Sequence, residues 1–329
     1  MTTALILPAF LLLIGLVLLV WSSDQFIEGA ASTAIHLNIS PLVIGIVVLG
    51  FGTSAPEIFV AILASLDDSP GLAIGNVVGS NIANIGLVLG VAALVAPIAI
   101  KSSLLKREFP ILLAISILGI VLMLDKDLDM TDGVILLGLL FIVIFWMIRA
   151  NKKIQPDDPL AEETLHELDD LPKMSLKKSL VILLVGLILL VASAKMMVWG
   201  AVDIAQIFNI PDVVIGLTII AIGTSLPELA AAISAARKGE SDLMIGNILG
   251  SNLFNLLAVM SMPALIAPSF IENSTLIQDY PIMLALTLAM LLVALPRKGK
   301  AEITKVEGGL LLASFIGYMI LLYFRTVSG

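Results

Sequence analysis

At an offset of 171 residues the chain repeats itself. Positions 41–97 and 212–268 share 24 residues in 57 aligned places. The match runs on outside that window, pairing Gly15 with Gly186, Gly29 with Gly200, Pro110 with Pro281 and Gly138 with Gly309. The surroundings are strongly apolar. Of 329 residues, 59% are hydrophobic and 13% charged, with a mean hydropathy of +1.09; soluble domains carry about 25% charged residues. Apolar runs of about 20 residues are long enough to cross a bilayer as helices and too long for barrel strands, and hydrocarbon satisfies no backbone group. The composition therefore defines an all-α integral membrane protein.

Ten apolar spans are expected, at 4–35, 41–66, 71–97, 107–124, 131–149, 176–207, 211–236, 242–267, 279–296 and 304–324. The first and sixth exceed the crossing length and should tilt. The first run, Ala4 to Val20, has no basic segment before it and no convincing cleavage site, and reads as a retained helix rather than a signal peptide. Placing both termini outside puts fifteen of the eighteen Lys and Arg residues in inside connections, leaving Lys126 and Arg325 outside and Lys195 within a span. This is the charge bias of a plasma (inner) membrane protein.

Each repeat holds five spans, so 1–150 and 176–329 should enter the membrane with opposite orientation, joined by a linker at 151–175. Inverted repeats of this kind build secondary transporters, with the site at the repeat interface near the midplane. The linker carries Asp157, Asp158, Glu162, Glu163, Glu167, Asp169 and Asp170. It lacks EF-hand spacing and reads as a solvated cytosolic connection rather than a calcium-binding module. There is no cysteine, hence no disulfide framework and no thiolate metal site. Nothing is basic enough for nucleic acid, and no nucleophile constellation or phosphate loop marks an enzyme or a resident cofactor.

The closest matches between the halves are polar. Gly52-Thr53-Ser54-Ala55-Pro56-Glu57 repeats as Gly223-Thr224-Ser225-Leu226-Pro227-Glu228. A central acid costs about 3 kcal/mol on the lenient insertion scale, and a helix cap contributes only about 1. Glu57 and Glu228 are therefore read as cation ligands. Gly and Pro predict a helix break in mid-span, and Ser54-x-x-Glu57 has capping-box spacing. Such a break frees carbonyls, which with hydroxyls and carboxylates suit Na⁺ and Ca²⁺. The second doubled word runs from Gly75 to Asn84 and from Gly246 to Asn255. Gly75/Gly79 and Gly246/Gly250 have the spacing that lets helices approach closely. Asn84 and Asn255 are expected to ligate; Asn76, Asn81, Asn247 and Asn252 are expected to serve structure. Asp24 and Lys195, at equivalent positions near Trp21 and Trp199, are read as interfacial anchors. His36 and His166 are not placed as proton relays.

The two words, in this order and in both halves, resemble the alpha repeats of the cation/calcium exchanger superfamily, and of its compact prokaryotic sodium/calcium antiporters in particular. The resemblance implies that Glu57 and Glu228 bind Ca²⁺ directly. It implies that Thr53 and Thr224, with Gly50 and Ala221, supply mainly backbone carbonyls, and that Ser54, Ser225, Ser80 and Ser251 line sodium sites. It also implies that spans 2, 3, 7 and 8 form a rigid core along which spans 1 and 6 slide. Asn255, where the potassium-dependent relatives carry Asp, argues against potassium dependence. The Gly-Thr-Ser-x-Pro-Glu word argues against the proton/calcium branch. The expected function is Na⁺/Ca²⁺ antiport by alternating access, with Na⁺, Ca²⁺ and the lipid bilayer as partners and a monomer compatible with the sequence. H⁺/Ca²⁺ antiport, K⁺-dependent exchange and a cation channel are the alternatives.

Overall fold

The structure is a computed structural model that describes residues 2–37, 40–66, 70–150, 174–208, 221–271, 275–297 and 301–328. The acidic linker, His166 and most of the stretch before Ala221 lie outside the described residues. The long helices are α1 (Thr2–Leu37), α2 (Ala55–Leu66), α3 (Pro70–Ala83), α4 (Glu108–Leu122), α5 (Met130–Ala150), α6 (Leu176–Ile207), α7 (Leu226–Arg237), α8 (Ser241–Phe254), α9 (Tyr280–Ala294) and α10 (Lys305–Ser328).

Among the described residues, seven helices are long and apolar enough to cross a membrane, and the bent pair Leu42–Thr53 with Ala55–Leu66 makes eight. The other two expected spans fall short for different reasons. At about 1.5 Å per residue, α4 reaches only about 22 Å. Of the seventh span, only the part from Ala221 onward is described.

Burial separates the spans into two kinds. The windows in Ser241–Ile266 and Pro70–Val95 are 100% and 78% buried, against 22–33% for the other single-helix spans. The two segments with the doubled Asn words are thus the protein's centre, while the most apolar helices face lipid. Exposed Phe59, Leu63, Phe141 and Phe145 are lipid contacts of the ordinary kind for such a surface.

Helix ends follow from proline. Ala96 and Ala267, each preceding a proline, leave helical geometry at φ −144° and −141°, because the proline ring clashes with a helical residue before it. The chain then runs into short strands that an all-helix expectation did not contain. These are β1 (Ile98–Ala99), β2 (Asp127–Leu128), β3 (Ser269–Phe270) and β4 (Glu302–Ile303). β1 pairs antiparallel with β4, and β2 with β3. β1 maps onto β3 at the 171-residue offset, so each ribbon ties the end of one half's third segment to the start of the other half's last helix.

α1 and α6 form a close pair. A Cβ placed on Gly186 would lie 2.7 Å from the Phe26 nitrogen, and one on Gly200 2.6 Å from the Pro8 carbonyl oxygen. At the equivalent places, Gly15 meets Met197 and Gly29 meets Leu183. The contacts therefore obey the same offset as the sequence. Ser32 and Ser179 hydroxyls bond across this pair at 2.7 Å.

Candidate ion-binding site

The helix break appears where Gly52 to Glu57 predicts it. Gly50–Thr53 ends at Ser54, which leaves helical geometry (φ −82°, ψ 2°), and α2 starts at Ala55 with a bend of 41°. In the second half Ala221–Thr224 ends at Ser225 (φ −90°, ψ 5°) and α7 starts at Leu226. Pro56 and Pro227 bring no N–H to the ladder across these turns.

The capping-box expectation is corrected. Neither serine hydroxyl caps its helix: Ser225 makes no side-chain cap bond, and Ser54 Oγ and Ser225 Oγ are both buried without a hydrogen-bond partner. The same spacing is used as a cap at α10, where Thr304 N–H donates to Glu307 Oε2 at 2.7 Å and Glu307 N–H approaches Thr304 Oγ1 at 3.4 Å. The difference lies in the surroundings: Glu57 and Glu228 are buried within electrostatic reach of one another, whereas Glu307 meets Thr304 at its own helix start.

Glu57 and Glu228 are each 1% exposed and repel one another electrostatically. Thr53 and Ser54 lie beside the Glu228 carboxylate without reaching hydrogen-bond geometry, so the break of one half faces the acid of the other. Thr53 Oγ1 lies 3.0 Å from the Leu49 carbonyl, 3.2 Å from Asn247 Oδ1 and 3.2 Å from Ser251 Oγ. With one proton it donates to one acceptor, and the Ser251 hydroxyl can donate to it. Asn84 Nδ2 donates to Asn252 Oδ1 at 3.2 Å. Asn247 and Asn252 thus orient Thr53 and Asn84, as expected of structural asparagines. Asn81 is less simply structural: its amide nitrogen bonds the Val77 carbonyl at 3.0 Å, but its oxygen is buried and unpaired.

What remains after these bonds is a set of oxygens. Glu57 Oε2, both Glu228 carboxylate oxygens, Ser54 Oγ, Ser80 Oγ, Ser225 Oγ, Asn84 Oδ1 and Asn255 Oδ1 are buried and unpaired. Buried polar atoms are nearly always paired, and an unpaired buried carboxylate is a large penalty. A concentration of unpaired oxygens around two acids is the chemistry of a site for hard cations. Of the twelve residues singled out in the sequence, Ser251 is engaged with Thr53 and Gly50 packs on the Gly250 backbone. Thr224 lines a crevice beside the break, and the Ala221 side chain lies outside the described set.

The sequence did not signal the backbone carrying the asparagines. Asn84–Leu89 and Asn255–Val259 are π-helical, as is Gly45–Leu49; Met260 N–H reaches the Asn255 carbonyl at 3.0 Å. Such bulges are frequent at functional sites because they turn side chains out of α-helical phase. The close approach expected from glycine spacing is present at Gly246, where a Cβ would sit 2.8 Å from the Leu42 oxygen and 2.9 Å from Gly45 Cα. At Gly75 and Gly79 no described atom falls within 4 Å; most of the equivalent partner stretch, 213–220, lies outside the described residues. Asp24, read from the sequence as an interfacial anchor, accepts a 2.5 Å hydrogen bond from Ser234 of α7.

Two acids and a set of unpaired hydroxyl and amide oxygens, at the centre of a polytopic protein, have the donor chemistry of a cation site in a membrane protein. Comparisons with known proteins place it more narrowly. The family described as Sodium/calcium exchanger protein matches residues 7–149 and 178–324. The putative antiporter CaxA of Alkalimonas amylolytica is 47% identical over 94% of this chain and 97% of its own length. The sodium/calcium exchanger MaX1 of Methanosarcina acetivorans is 31% identical over 95% and 98%. The solved sodium-calcium exchanger NCX_Mj, soaked with Na⁺ and Sr²⁺, superposes with a TM-score of 0.83 at 34% identity, covering 96% of this chain and 98% of that one. The chain belongs to the sodium/calcium exchanger family.

Proposed function

We infer that this protein is a secondary antiporter that exchanges Na⁺ for Ca²⁺ by alternating access, with the exchange taking place at the Glu57–Glu228 chamber. The observation that carries the site assignment is the set of unpaired oxygens, three of them on carboxylates. Two ionised acids hold two negative charges, which one Ca²⁺ or two Na⁺ neutralise. Ions competing for the same oxygens exclude one another, and an unloaded chamber leaves two like charges together away from water. That repulsion penalises crossing unloaded and so couples the two fluxes.

In this reading Glu57, Glu228, Asn84 and Asn255 ligate through side-chain oxygens. Ser54, Ser225, Ser80 and Ser251 line the flanking sodium positions, and Thr53, Thr224, Gly50 and Ala221 contribute backbone carbonyls. The two halves, 1–150 and 176–329, are inverted five-helix repeats of a ten-span protein. The offset-related ribbons and the α1–α6 glycine contacts support this division. In this reading both termini lie outside the plasma (inner) membrane, which the Lys and Arg bias supports.

The test is ⁴⁵Ca²⁺ flux in proteoliposomes under imposed Na⁺, K⁺ and pH gradients, one at a time. An outward-directed Na⁺ gradient should drive Ca²⁺ uptake with no K⁺ requirement. Flux driven by a pH gradient without Na⁺ would assign proton exchange instead, and Ca²⁺ flux without any counter-ion would assign a channel.

A further inference from the structure

The duplicated site words make the ion chamber nearly symmetric, but the seams leading to it are not. A cavity of about 190 Å³ lies between α1 and α7, lined by Val20, Ser23, Asp24, Ala230, Ile233 and Ser234 among others. A second, of about 200 Å³, lies between α2 and α6; there the corresponding positions are Val191, Ala194, Lys195, Phe59 and Leu63. The two seams are equivalents under the 171-residue offset, and in inverted halves they face opposite sides of the membrane.

A hydrogen bond closes the first seam. Ser234 Oγ donates to Asp24 Oδ1 at 2.5 Å. One turn further along α7, Lys238 Nζ donates to the Asp24 backbone carbonyl at 2.8 Å and lies 3.8 Å from Glu28 Oε2. At the other seam the residues equivalent to Asp24, Glu28, Ser234 and Lys238 are Lys195, Trp199, Leu63 and Asp67; Leu63 has no hydroxyl, so the Asp24–Ser234 bond has no counterpart there.

We propose that Asp24, Ser234 and Lys238 form a latch across the α1–α7 seam that weights the transport cycle toward the state in which this seam is shut. The proposal rests on the alternating-access reading above. Two identical inverted halves would give two access states of equal energy, because each state is the other turned over. Any bias must come from places where the halves differ. The seam is such a place, and the latch must break for the ion chamber to open there. A hydrogen bond to a charged carboxylate is worth about a tenfold change in population or more. Asp24 and Ser234 are positioning residues in this scheme: they touch no ion and act through the equilibrium between states.

The chain has no cysteine, so Ile233→Cys provides a clean reporter inside the seam. In proteoliposomes, an impermeant maleimide added from the seam's side should modify this reporter about tenfold faster after Asp24→Asn or Ser234→Ala. Apparent Ca²⁺ affinity should rise at that face and fall at the opposite face, with maximal exchange retained. Unchanged labelling in two exchanging variants would overturn the latch. So would affinities that move in the same direction at both faces, which is the mark of a merely structural defect. The reporter without a second substitution tests the foundation. If its reactivity does not differ between Na⁺- and Ca²⁺-loaded protein, alternating access at this seam fails and the latch with it. If it differs yet ignores Asp24→Asn and Ser234→Ala, the latch alone fails.

Discussion

Replacing Glu228 by glutamine changes charge while leaving an oxygen of similar shape in place. Both Glu228 carboxylate oxygens lack a hydrogen-bond partner among the described residues, and the residue is 1% exposed, so its charge is available to a bound ion. A unit charge about 4 Å away interacts by about 4 kcal/mol at an effective dielectric of about 20. The same loss applied to a divalent ion is about twice as large. Glu228→Gln is therefore expected to weaken Ca²⁺ binding by about 4 kcal/mol more than it weakens binding of each single Na⁺, on the order of a thousandfold in the ratio of single-ion affinities. Relief of the repulsion between Glu57 and Glu228 softens the absolute losses but not the difference, since it acts on the chamber before either ion enters. The assay is isothermal titration of purified protein with Ca²⁺ and, separately, with Na⁺, paired with Na⁺-driven ⁴⁵Ca²⁺ uptake. A variant that keeps Ca²⁺ affinity within tenfold, or loses Na⁺ affinity more than Ca²⁺ affinity, would refute the assignment of Glu228 as a charged ligand.

Three further outcomes are expected. Asn252→Ala removes the acceptor that holds Asn84 and should lower Ca²⁺ affinity about tenfold without altering the charge-based selectivity, as read from the same titrations. Gly246→Ala presses a methyl into the Leu42 and Gly45 backbone and should destabilise the protein by about 1–3 kcal/mol in thermal melts; Gly138→Ala, which meets no described atom within 4 Å, should be neutral or slightly stabilising. Glu307→Ala removes the cap on Thr304 and the ion pair with Arg297; it should cost about 1–2 kcal/mol of stability while leaving both ion affinities unchanged.

The candidate site was legible because its residues violate the solvent around them. Glu57 and Glu228 stand out in apolar runs, and duplication showed that neither was an isolated exception. The span positions were legible for the same reason, since hydrophobic length is a local property. The misreadings came from contacts made at long range. Ser54-x-x-Glu57 and Thr304-x-x-Glu307 share one spacing, but only the second caps a helix. The hydrogen bond between Ser234 and Asp24, 210 positions apart, had no local signal either.

The sequence by itself determined that the chain is a helical membrane protein built from a repeat, with two acids at its centre. Hydrophobicity and periodicity suffice for that, because lipid leaves the backbone few choices. Only the tertiary structure decided which oxygens are left unpaired. That depends on hydrogen bonds formed between halves, such as Thr53 to Asn247 across 194 positions and Asn84 to Asn252 across 168. It depends equally on the π-helical turns that begin at Asn84 and Asn255. A ligand set is a remainder, and it is known only once every competing partner has been placed.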